Sequence, residues 1–129
     1  MVSKADLTSW GPDGRSLMVR GNRAGIAGLE LMLEAGHHLL ARNRLTPRDL
    51  DWLLPAQTHA GTVEALCDGL EIPRAKLVWS GDVTGYAASA SIAATLGARC
   101  HDHTLHKGDL VLSLAVGAGM NVAGALYYC

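Results

Sequence analysis

The sequence predicts an α/β domain with a mixed sheet packed by helices, and three observations predict it. Stretches whose apolar residues recur at helical spacing alternate with short apolar runs of strand length. Hydrophobic residues make up 49% of the chain and charged residues 18%, the balance of a packed core and not of a disordered polymer. The 129 residues suit one such core and leave little room for a second.

Residues 1–16 are polar and turn-rich, with Gly11, Pro12, Asp13 and Gly14 in a row, and read as a flexible N-terminal segment. A short extended stretch follows at Leu17–Arg20. From Arg23 to Asn43, Ile26, Leu29, Leu33 and Leu40 keep helical spacing while Glu30 and Glu34 fall on another face, so a helix is expected despite several glycines. Thr46-Pro47-Arg48-Asp49 carries helix-start residues, enough for one turn before a buried strand at Asp51–Pro55. A second helix is expected from about His59 to Leu70, with Val63, Leu66 and Leu70 on one face, stopped by Ile72-Pro73. Leu77-Val78-Trp79 reads as the next strand. Gly85 to Leu96 is almost entirely small residues, which predicts a central, buried helix, the most buried of all. A surface loop is expected from Arg99 to Asp109. Two strands, Leu110–Val116 and Asn121–Tyr128, then close the domain, joined by Gly117-Ala118-Gly119.

Composition excludes some partners. A formal charge of −1 gives no general attraction to nucleic acid or anionic lipid. No apolar run approaches the ~20 residues of a membrane span, and the first residues lack the apolar stretch of a signal peptide. Cys67, Cys100 and Cys129 are odd in number and unrelated in spacing, so no disulfide framework is expected and a reducing cytoplasm is the natural setting.

Four blocks, in order, carry a resemblance. Leu45-Thr46-Pro47-Arg48-Asp49-Leu50-Asp51-Trp52-Leu53-Leu54-Pro55, then Gly85–Ile92, then Lys107-Gly108-Asp109-Leu110-Val111-Leu112, then Gly117-Ala118-Gly119 with Gly124-Ala125-Leu126, resemble the ketoacyl synthase III family. The likeness runs from about Gly21 to Cys129, and the domain is taken as 17–129. It implies the C-terminal half of a thiolase-like condensing enzyme working on acyl-CoA or acyl carrier protein thioesters, without a cofactor. In such a family the acyl-accepting cysteine lies in the N-terminal half. The resemblance therefore implies an N-terminal half or a partner subunit, because a half-fold beginning past its first strand would expose a sheet edge and an apolar face.

The same resemblance locates candidate site residues. The family's histidine position is Ala56 and its asparagine position is Tyr86, whereas decarboxylative chemistry needs both to stabilise an enolate. Ala56, Gln57, Tyr86 and the loop Gly117, Ala118 and Gly119 are expected to line the thioester site, Ala118 through a backbone N–H at the oxyanion. His59 falls one turn beyond Ala56, either as a relocated catalytic base or simply as the cap of its helix. Gly61 stands where the family often places a carrier-docking arginine, and Arg42, Arg44 and Arg48 form either a carrier-docking patch or a solvated basic face. Cys100, His101, Asp102, His103 and His106 match no zinc spacing, His37 and His38 point to different faces of their helix, and no metal is expected. Cys67 reads as a core residue.

Two functions remain open at this stage. One is a diverged acyltransferase domain whose cysteine comes from another half or chain. The other is a non-catalytic, degenerate subunit that completes and supports an active partner.

Overall fold

Alternation along one strand sets the layers of this fold. β4 (Leu110–Gly117) pairs in parallel with β3 (Trp52–Pro55) and antiparallel with β5 (Asn121–Tyr128), giving a mixed sheet. Successive strand side chains point to opposite faces. Leu110, Leu112 and Leu114, with Leu53 of β3, enter one core beneath α1 (Gly21–Arg42) and α2 (Ala60–Gly69), where they meet Met32, Leu40, Leu66, Cys67 and Leu70. Val111 and Leu54 enter a smaller core with Val78 and Leu105, against which Ile92 and Leu96 of α4 (Ser91–His101) pack. The short α3 (Gly81–Thr84) lies between. The computed structural model describes residues 8–10, 13, 17–19, 21–117 and 119–129. No helix among them is long and apolar enough to cross a membrane.

Small residues let the first layer approach the sheet. A methyl group on Gly124 of β5 would meet Leu39 Cδ1 at 2.5 Å and Leu114 Cδ2 at 2.9 Å, so α1 rides directly over this glycine. The turn before β3 is closed as its residue types predict. The Thr46 N–H and hydroxyl both donate to Asp49 Oδ2, at 2.6 and 2.7 Å. These bonds hold the Asp49 carboxyl below the usual carboxylate range.

Several expectations need correction. Thr8–Trp10, inside the segment read as a turn-rich tail, is a strand (β1) paired antiparallel with Leu17–Val19 (β2). The rest of residues 1–16, Asp13 excepted, lies outside the described residues. Leu77–Trp79 is not a strand; it makes one parallel bridge, Leu53 to Leu77, with Val78 N–H donating to Leu53 O at 2.9 Å. The central buried helix over Gly85–Leu96 is also absent. Gly85 adopts φ 64°, Ala88 adopts φ 47°, and the α-helix begins only at Ser91. Residues 82–90 are exposed, and on α4 only Ser91 and Thr95 are buried. Small side chains permit close approach but bury little area themselves, and no described segment is laid across this face. That same helix continues through Arg99–His101, shortening the expected loop.

Candidate functional site: a cleft beyond the end of β3

The parallel ladder ends by handing the chain to a side chain. Ala56 is buried, and its N–H donates to Leu114 O at 2.8 Å, one step past β3. Gln57 follows, 1% exposed, and its amide replaces the next pair of strand hydrogen bonds. Gln57 Nε2 donates to Pro55 O at 2.8 Å and to Val78 O at 3.1 Å. Gln57 Oε1 accepts from Ser80 N–H at 2.7 Å. Ser80 Oγ in turn lies 2.7 Å from Thr95 Oγ1, tying α4 into the same network. This explains why Leu77–Trp79 stops after one bridge: the Gln57 amide captures the backbone groups a longer strand would have paired.

That clamp frames a cleft of about 290 Å³ lined by Gln57, Thr58, His59, Trp79, Asp82 and Tyr86, among others. Trp79 is laid across Gly81, where any Cβ would collide with the indole. Thr58 Oγ1 is sealed from water and has no hydrogen-bond partner. Buried hydroxyls without partners are uncommon, and this one is closed off from the cleft as well as from water.

His59 caps α2, its Nδ1 accepting the Gly61 N–H at 3.2 Å. An Nδ1 that accepts leaves the proton of the neutral imidazole on Nε2. In this geometry His59 offers a ring N–H donor; to act as a base through Nδ1 it would first have to release its helix.

The structure thus brings Gln57, His59 and Tyr86 together around one cleft. Ala56 is adjacent in sequence but does not line it. Gly117 and Gly119 sit exposed at the β4–β5 turn, where Gly119 takes φ 91°, a conformation that favours glycine. Ala118, expected to give the oxyanion N–H, lies outside the described residues. Arg42, Arg44 and Arg48 are all exposed, and so are His37, His38, Cys100, His101, His103 and His106. No group of three metal-ligating side chains occurs among the described residues. Cys67 is buried in the main core, and burial pushes its thiol up.

Sequence reasoning missed Thr58, Trp79 and Asp82 as cleft residues. A signal existed for Trp79, since a glycine two residues on is what an indole folded back over its own chain requires. None existed for Thr58.

The sheet order and the cleft beyond β3 invite comparison with solved proteins. The crystal structure of 3-oxoacyl-(acyl-carrier-protein) synthase III from Aquifex aeolicus is similar with a TM-score of 0.88 and 23% identity, over 95% of this chain and 40% of that one. The Thermus thermophilus enzyme gives 0.82 and 26%, over 92% and 38%. The fold is therefore that of a thiolase-like half. In sequence, a beta-ketoacyl-(acyl-carrier-protein) synthase III of Alkalilimnicola ehrlichii is 30% identical over 126 residues, covering 91% of this chain and 39% of the relative. Residues 40–129 match the C-terminal domain model of 3-oxoacyl-(acyl-carrier-protein) synthase III, and the chain belongs to that family. It spans about two fifths of the length of the Alkalilimnicola relative.

Proposed function

We propose that this domain forms one wall of an acyl-thioester site in a condensing acyltransferase, with the cysteine nucleophile carried by an N-terminal half on the same polypeptide or a partner. The observation that carries the reading is a cleft lined by His59, whose Nδ1 is taken by its helix, together with the aromatic side chains of Trp79 and Tyr86. A donor beside aromatic walls suits a thioester: the His59 ring N–H meets the carbonyl, and Trp79 and Tyr86 flank the acyl or pantetheine chain. Family membership supports acyl-CoA or acyl carrier protein as the thioester's bearer. His59 serves here as a carbonyl donor while capping its helix.

Hydrogen exchange in the presence of a medium-chain acyl-CoA tests this. Protection is expected at residues 57–60 and 79–86. Protection confined elsewhere, or none at saturating ligand, contradicts it.

The resemblance also supports a second reading, a supporting domain without chemistry of its own. By the resemblance, Ala56 and Tyr86 take the family's histidine and asparagine positions, and a methyl group can neither donate a hydrogen bond nor carry a proton. In the complete enzyme, His59→Ala separates the two. Loss of a carbonyl donor lowers turnover by about 10²-fold, whereas a purely supporting wall leaves it unchanged.

A further inference from the structure

Two thiols far apart in sequence come to the same end of the sheet. Leu96 and Cys100 are four residues apart on α4 and share a face; Tyr127 and Cys129 are two apart along the β5 direction and share a face. Leu96, Tyr127 and Cys129 pack on the same small core of Leu54, Val78, Leu105 and Val111. Cys100, one helical turn beyond Leu96, is thereby brought to the side of that core on which Cys129 packs. The Cys129 backbone is fixed on both sides, its N–H donating to Asp109 O at 3.0 Å and its carbonyl accepting from Gly108 N–H at 2.7 Å. Both cysteines are free thiols, Cys100 exposed and Cys129 half-buried.

We propose that Cys100 and Cys129 form a reversible disulfide that fastens α4 to the end of β5. The oxidant is a low-molecular-weight disulfide such as glutathione disulfide. The exposed Cys100 thiolate attacks one of its sulfurs, giving a mixed disulfide and releasing one glutathione thiolate. The Cys129 thiolate then attacks the Cys100 sulfur, closing the protein disulfide and releasing the second glutathione. The two cysteine protons end on the two released thiols, so one disulfide is consumed and one is formed. Burial, then the neighbouring Cys100 and Asp109, push the Cys129 thiol up. Cys129 therefore suits the resolving step at a tethered sulfur better than the first attack. Odd count and unrelated spacing hide this pair in the sequence.

The test is incubation of the full chain with glutathione disulfide, followed by thiol counting under denaturing conditions, intact mass and peptide mapping. Wild type should lose two of its three thiols, fall by ~2 Da without retaining glutathione, and give a Cys100–Cys129 linked peptide that dithiothreitol removes. Cys129→Ser should instead retain a glutathione adduct on Cys100. A lasting adduct on wild-type Cys100, a link through Cys67, or links only between molecules would overturn the proposal.

Discussion

At the scale of single residues, Gln57 decides how the cleft is held. Its buried amide takes two carbonyls and one N–H. Gln57→Leu keeps the volume and orphans those groups, and should cost about 2–3 kcal/mol, read as a lower urea midpoint with an unchanged slope. Gln57→Glu keeps the acceptor for Ser80 but turns a carboxylate toward the carbonyls of Pro55 and Val78, so it should not rescue. The resemblance put Gln57 among the candidate site residues and it lines the cleft, yet residue type cannot say whether an amide faces ligand or backbone. Asp109 gives a second residue-scale prediction. The His106 backbone N–H, then the Trp52 indole at 2.8 Å, hold its carboxyl below the usual range. A folded pKa below the unfolded one stabilises the fold above about pH 4 and loses that stabilisation as pH falls through the folded value. Asp109→Asn should therefore lower stability at neutral pH and flatten the acid limb of a pH–stability curve; an unchanged acid limb would show that these bonds are not formed.

At the scale of elements, legibility followed periodicity. β3, β4 and α2 were readable because their apolar residues face a core at the period of their own element, as Leu110, Leu112 and Leu114 do. The stretch Leu77–Trp79 has the same apolar look, and only the route of a neighbouring amide distinguishes one bridge from a strand. Gly85–Leu96 misled for a different reason: small residues signal close approach without saying what approaches. Close approach is real at Gly124, which lies beneath α1. Gly124→Val should cost about 1–3 kcal/mol by overpacking against Leu39 and Leu114, with Gly124→Ala costing less; thermal unfolding of the pair checks the order.

At the scale of the whole molecule, the cleft opens beside a face that nothing described covers. Val83 is 88% and Tyr86 58% exposed in a run, 82–90, exposed throughout. The outer edge of β5 pairs with no strand among the described residues. Apolar surface and a sheet edge together favour association, so sedimentation of the purified chain should show concentration-dependent assembly, and a monomer persisting at high concentration would count against a covering half. The central claim, that this domain holds a thioester whose nucleophile lies elsewhere, meets its most direct test in one measurement. Incubate the chain alone with acyl-CoA and record the intact mass. The account predicts no acyl adduct on Cys67, Cys100 or Cys129; a stoichiometric adduct on any of them would contradict it.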